Sequence, residues 1–373
     1  MGNSGAKVTS GSVPLSEAVQ AALRVAAARG ERVFLVGGIV RDLVMGRGVG
    51  DYDLDLVVEG DGLAFSQALQ AELLCQLRQH PSFLTAKLTG PFTAAATDGP
   101  LLTELDIATA RTEEYSAPGA LPTVKAAPIE KDLWRRDFSV NALALPLLDY
   151  ARLRSHELTP EQVIPDIVDS TVGLPDIATH TLRVLHPESF ADDPTRLFRA
   201  VRYAVRLGFD FDMATSAAFL HAVKNGALGT LSARRVWNEA ITALDEERIP
   251  EVIEEFSERG LFSALPVISP ERLPEVSAAL KRLAEVRDEL PQGVFPLAAK
   301  EILLAGLVLD AREDIIAAVH EGLKASKRVR AMLDGLRSGQ APTELSSLVA
   351  AYAFSGSQQL RIALEAALQG GGD

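Results

Sequence analysis

The sequence predicts an α+β head, a short mixed sheet with helices, followed by an all-α neck, body and tail. Three observations carry that prediction. Short apolar runs bounded by glycines recur through the first 150 residues, the strand signal fades after Asp149, and from Asp192 onward apolar residues recur at helical spacing in segment after segment. With 47% hydrophobic residues, a chain of 373 residues can bury more than one core. The expected divisions are 1–150 for the head, 151–248 for a neck and 249–373 for a helical body and tail.

Residues 14–30 read as an amphipathic helix closed by Gly30. Residues 32–36 (RVFLV) are a short buried strand, broken by Gly37–Gly38 and followed by a helical turn or two ending at Gly46. Residues 53–58 (DLDLVV) form a second strand, after which a helix is expected from Leu63 to Arg78. Short strands follow, with Asp98–Gly99 as a hairpin signal. Beyond it, Leu105 and Ile107 fall on one face of a strand and Glu104 and Asp106 on the other. Residues 135–142 read partly as core strand, with Phe138, Val140 and Ala142 alternating inward. Residues 151–190, with Pro160, Pro165, Pro175 and Pro187, read as a loop-rich connection. Helices are then expected over 193–207, 214–223, 233–247, 250–259, 272–289 and 298–309.

Composition excludes several classes. No apolar run approaches the roughly 20 residues of a membrane span. The opening MGNSGAKVTSGS lacks the apolar core of a secretory signal, and the single cysteine, Cys75, rules out an internal disulfide. Cytoplasm is the expected compartment. A net charge of −13 argues against nucleic acid at long range, but binding depends on local basic patches. Two such patches exist: Arg196, Arg199, Arg202 and Arg206, and then Lys324, Lys327, Arg328 and Arg330. Both also fit solvated helix faces.

Asp53 and Asp55 are the first candidates for chemistry. One residue apart on a strand, they project from the same face, while Leu54, Leu56 and Val58 point into a core. Two carboxylates forced side by side repel, and a divalent cation such as Mg²⁺ relieves that repulsion. An acidic strand end facing solvent is the plain alternative. Upstream, Gly37–Gly38 joins a buried strand to a helix, a junction at which backbone N–H groups can approach a phosphate, and Arg41 lies one turn in. The spacing is neither a dinucleotide fingerprint nor a P-loop.

Taken together, these motifs are more specific. FLVGGIVRD (34–42), Gly46 and Asp53-Leu-Asp55 resemble the nucleotidyltransferase head of the DNA polymerase β superfamily. With RRDFSVNA (135–142), DPTRLFRAVRYAVRLGF (193–209) and SARRVWNEA (232–240), the chain resembles the class II tRNA nucleotidyltransferase and bacterial poly(A) polymerase family over about residues 32–247.

The resemblance implies an RNA 3′-end nucleotidyltransferase that takes CTP or ATP, uses Mg²⁺ and acts on tRNA. Asp53 and Asp55 would bind the metal ions, with Asp106 as a third acid. Gly37, Gly38 and Arg41 would cradle the phosphates. Arg136 would contact the nucleotide, while Asp137 and Asn141 would contact its sugar or brace the site. Asp193 and Arg196 would read the base edge, and Arg199 and Arg202 would add phosphate or nucleotide contacts. Asp192 stands where many CCA-adding members have Glu. Residues 110–122 correspond to a mobile loop of the family. Full CCA addition, CC addition, A addition and poly(A) synthesis all fit these motifs, as does an inactive RNA-binding relative. The six histidines form no His-Asp pair, so no appended phosphohydrolase is expected, and there is no Cys/His zinc pattern.

Overall fold

The structure is a computed structural model. It describes residues 13–47, 54–90, 101–115, 121–232, 246–261 and 273–286, together with isolated positions between 235 and 350. Asp53, the Asp98–Gly99 turn, residues 116–120 of the 110–122 loop, most of the 298–309 helix and the Lys324–Arg330 patch lie outside the described residues. The chain divides into two compact units, Met1–Asp192 with Asp210–Ser216, and Asp193–Phe209 with Ala217–Asp373. The first unit thus runs on beyond residue 150.

A two-residue strand, Val13–Pro14 (β1), leads into Leu15–Arg29 (α1), which buries Ala18, Val19, Ala21, Ala22, Val25 and Ala26 along one stripe. Gly30, at φ 66°, takes the left-handed conformation that ends it. Arg32–Val36 (β2), Gly38–Val44 (α2), Leu54–Glu59 (β3) and Gly62–Leu73 (α3) follow. Asp61 starts α3 by accepting the N–H groups of Leu63 and Ala64 at 3.1 and 3.0 Å.

The helix expected as far as Arg78 stops at Leu73, where Leu74 turns left-handed at φ 52°. Gln76–His80 is an edge strand (β4) instead, paired antiparallel with Thr85–Thr89 (β5). The run LLCQLR satisfies either period, and the open hydrogen-bonding edge of β5 decides for strand. Leu101–Leu102 (β6) pairs with β1, and Glu104–Thr109 (β7) is the strand that alternates as expected, with Leu105 and Ile107 buried. Arg111–Glu114 (β8) and Thr123–Ala126 (β9) form a hairpin, Ile129–Trp134 is α4, Ala144–Pro146 is β10 and Leu147–Arg154 is α5.

The main sheet has the order β10-β2-β3-β7-β5-β4, mixed, with β3 and β7 its parallel pair. Helices α1 and α3 pack on each other, and α3 lies against β3, β4, β5 and β7. The other face is only partly covered. There, among the described residues, α4 places Ile129 and Leu133 on Phe34, Val36 and Val57, with Ala108 of β7 at the margin, and a cleft lies over the β3-β7-β5-β4 side.

The block at 135–142 is not a strand. Phe138 makes a single bridge to Val184, and Ser139–Asn141 is a 3₁₀ turn buried all round. Burial on every side removes the alternation that a strand would have required. The turn is pinned by the helix Gly173–Ala178: Ser139 Oγ donates to Asp176 Oδ2 at 2.5 Å, and a Cβ on Gly173 would collide with the Ser139 carbonyl oxygen. In the second unit, Thr195–Leu207 buries Leu197, Phe198, Ala200, Val201 and Leu207. Phe198 packs edge-on against Phe256 of the helix Ile249–Glu258, with ring centroids 5.2 Å apart. Gly173→Ala should lower unfolding stability by about 1–3 kcal/mol, because a backbone oxygen cannot yield as a side chain can. Urea denaturation of the purified variant checks this, and an unchanged midpoint would refute the close packing.

Candidate active site

Alternation along β3 builds the centre of the site. Leu54 and Leu56 are buried on the α3 side, so Asp55 must stand on the opposite face, where it is exposed. Parallel pairing of β3 with β7 then sets Asp55 beside Asp106. The two carboxylates open onto a cleft of about 480 Å³, whose lining also includes Lys87, Arg78, His80 and Arg136. Asp106 is half-buried, and its Oδ2 lies 3.1 Å from Lys87 Nζ, which also reaches Glu104 Oε2 at 3.1 Å. Burial pulls the Lys87 ammonium down, but its hydrogen bonds to Asp106 and Glu104 outweigh that and hold it above the ordinary lysine value. Adjacent hard oxygen donors at a solvent-facing cleft suit a divalent cation, and Asp55 and Asp106 are the described side chains that could hold one.

Gly37 follows β2 with φ 77° and ψ −141°, a conformation that favours glycine. The space where its Cβ would lie faces Arg136 Nη1 at 3.8 Å and Asp55 Oδ2 at 3.9 Å. The glycine turn, the guanidinium and the carboxylate therefore share one corner. Arg136 is aimed there by Asp132, a fully buried acid at the i−4 position of the chain, whose Oδ2 accepts Arg136 Nη2 at 2.9 Å. Asp132 Oδ1 takes Arg135 Nε at 2.9 Å and the Arg111 backbone N–H at 3.0 Å. Burial pushes the Asp132 carboxyl up, and the Arg136 and Arg135 charges with these hydrogen bonds reverse it, leaving the group below the usual carboxylate range. Glu113, joined to Arg111 and Arg135, is lowered by the same balance. Arg136 Nε is buried without a hydrogen-bond partner among the described residues, a donor left for something else.

Arg41, 3% exposed, does not project into open solvent. Its Nε and Nη2 donate to Asp42 at 2.9 and 3.0 Å, and its Nη1 donates to Asn141 Oδ1 at 2.7 Å. Asn141 Nδ2 in turn donates to Asp137 Oδ1 at 3.2 Å, which also accepts the Phe138 N–H at 2.8 Å. These bonds tie α2 to the 3₁₀ turn. Gly38 lies against Arg41, with Nη2 3.3 Å from where a Cβ would be.

The second unit holds the other expected residues. Asp193 Oδ1 accepts the Thr195 N–H at 3.1 Å, Thr195 Oγ1 at 2.7 Å and Arg235 Nη2 at 2.7 Å. Arg196 is buried, and Arg199 lies over the Tyr203 ring and donates to its hydroxyl at 3.1 Å. Arg202 Nε meets Glu246 Oε1 at 3.0 Å and Nη1 meets Glu239 Oε2 at 3.2 Å, while Arg206 also pairs with Glu246. Burial keeps Glu239 above its ordinary value despite the charges of Arg199 and Arg202.

Residues 33–183 match the poly(A) polymerase head domain. The A-adding tRNA nucleotidyltransferase of Halalkalibacterium halodurans is 40% identical over 209 residues, 56% of this chain and 44% of that protein. The A-adding tRNA nucleotidyltransferase of Geobacter sulfurreducens is 37% identical over 230 residues, 62% of this chain and 24% of that one. The chain thus spans less than half the length of either relative. In fold, a solved CCA-adding enzyme in its apo form II matches with a TM-score of 0.68 at 24% identity, covering 95% of this chain and 82% of that one.

Within the head, sequence reasoning missed Asp132, Lys87, Arg78 and Glu113. The i,i+3 and i,i+4 spacing of Asp132 to Arg135 and Arg136 was visible as a signal; Lys87 and Arg78 required the strand register. Because the folded Asp132 carboxyl sits below its unfolded value of about 3.9, the unfolded chain takes up the proton first as pH falls. Its contribution to stability is therefore complete above about pH 5 and declines as pH falls toward the folded value. Asp132→Asn should cost roughly 3–5 kcal/mol at neutral pH and flatten the acid loss of stability between about pH 5 and pH 3. Urea midpoints across that range test it; parallel profiles for the two proteins would refute the assignment.

Proposed function

We propose that this chain transfers nucleotides from CTP or ATP to the 3′ end of tRNA, releasing pyrophosphate. The observation that carries the reading is the Asp55–Asp106 pair, set side by side by strand register in a cleft that also receives Arg136 and the Gly37 turn. Mg²⁺ is the proposed cation, held by Asp55 and Asp106 with Asp53 completing the set. When bound, it would lower the pKa of the RNA 3′ hydroxyl and neutralise the triphosphate.

The chain's own residues account for orientation. The Gly37 turn lets the triphosphate approach the backbone, and Arg136, held by Asp132, offers it the Nε donor that has no partner among the described residues. Arg41, Asp137 and Asn141 act as a brace that keeps α2 and the 3₁₀ turn in place. Asp193 and Arg196 select the base, with acceptors on one and a fork of donors on the other, and Arg235 fixes the Asp193 carboxylate. Arg199 lies on the same helix for a nucleotide contact, whereas Arg202 serves by locking that helix to Glu239 and Glu246. A reducing, cytoplasmic setting fits both a tRNA substrate and a lone buried cysteine.

The test supplies tRNAs lacking CCA, CA or only the terminal A, with labelled CTP and ATP, and sequences the products. Growth of any of them supports the reading, and the length added names the member; no labelling of any RNA in the presence of Mg²⁺ would overturn it. Asp55→Asn should cut turnover by about 1,000-fold, equivalent to about 4 kcal/mol, with tRNA affinity nearly intact. Near-normal turnover in that variant would remove the metal assignment. Arg196→Ala should shrink discrimination between CTP and ATP by about tenfold, within the 1–3 kcal/mol range of a bidentate base contact. Unchanged discrimination would count against its role in base selection.

A further inference from the structure

The register of the main sheet sets four charged side chains in one row across four strands. Asp55 pairs with Asp106, Asp106 with Lys87, and Lys87 with Arg78. All four line the cleft, on the side of the sheet that α4 leaves open. The next row runs Val57, Ala108, Thr85 and His80. Neighbouring strands lie about 4.8 Å apart, so the row spans about 14 Å and its charge changes sign across the one gap between β7 and β5.

The cations at the end of this row differ in what holds them. Lys87 is fixed by Asp106 and Glu104. Arg78, on the edge strand, is exposed and has no ion-pair partner among the described residues. A guanidinium on an edge strand at the rim of a reactive cleft is placed to take a phosphate.

Group transfer fixes which phosphate. In an in-line displacement, the attacking and leaving oxygens lie on opposite sides of the phosphorus. One flank of the carboxylate pair, toward β2, carries the Gly37 turn and Arg136. The leaving pyrophosphate belongs there. The opposite flank, toward β5 and β4, carries Lys87 and Arg78, and must receive the strand that brings the attacking hydroxyl.

We propose that Lys87 and Arg78, with His80 beside them, form a subsite for the backbone phosphates at the 3′ terminus of the acceptor RNA. The subsite rests on the nucleotide-transfer reading above. It positions the acceptor and carries no base preference, since phosphate contacts fix register without reading sequence.

The experiment uses the full chain and a fluorescent tRNA lacking its terminal A. Binding is followed by anisotropy over a series of KCl concentrations, alongside KM for tRNA and for ATP. Arg78→Gln should weaken tRNA binding by about tenfold and reduce the log–log salt slope by about 0.7, the value for one single-strand phosphate contact. KM for ATP should stay unchanged and the thermal midpoint should match wild type. Arg78→Lys should recover most of the affinity. Two results overturn the subsite while leaving the transfer reading intact. One is a wild-type tRNA affinity and salt slope in Arg78→Gln. The other is a rise in KM for ATP with KM for tRNA unmoved, which would put the triphosphate on this flank. A wild-type chain that neither binds nor extends RNA would overturn both readings together.

Discussion

Two carboxylates on one face of a sheet repel unless something compensates, and the parallel pairing of β3 with β7 forces Asp55 and Asp106 into that position. Neither strand can slip to relieve it. A shift of one residue would turn Leu54, Leu56, Leu105 and Ile107 out of the core and onto the cleft. The hydrophobic layer beneath the sheet therefore pays for the electrostatic strain above it. Lys87 supplies one compensation, and a divalent cation in the cleft would supply a larger one.

Around that pair the chain uses its arginines in two ways, separated by what their acids leave over. Arg41 and Arg202 are buried and engaged on several nitrogens, so they join one element to another. Among the described residues Arg136 is held by one nitrogen only, with Nη1 beside the glycine turn and Nε buried without a partner. Asp132 makes this division possible. It shares its two oxygens between Arg135 and Arg136, so that Arg136 is oriented without being saturated.

Much of this was legible in the sequence, because period-2 alternation and a glycine pair are local signals. The strand at 32–36, the break at Gly37 and the outward face of Asp55 and Asp106 all follow from neighbours one or two residues away. What stayed hidden depends on partners distant in sequence. Leu73–Arg78 is apolar enough for either period, and only β5 decides it. The block at 135–142 looks like a strand because its apolar residues alternate, yet burial from every side makes alternation irrelevant. The row from Asp55 to Arg78 draws on residues 55, 106, 87 and 78, an order that no scan along the chain reveals.

Register also resolves the tension between a net charge of −13 and the RNA substrate proposed above. Several acids of the described residues do not face a ligand at all: Asp132, Glu113, Glu239 and Glu246 are turned inward onto arginines. Such pairs count toward net charge but contribute little field at the cleft, since each is neutralised within hydrogen-bond distance. The field a polyanion meets near contact is set instead by side chains that reach the open face. There the acids stand at one end of the row, in the middle of the sheet, and the cations at the other, toward its edge. An acidic chain can thus repel nucleic acid at long range, where salt screens the repulsion within about 8–10 Å, and still hold a phosphate once it arrives.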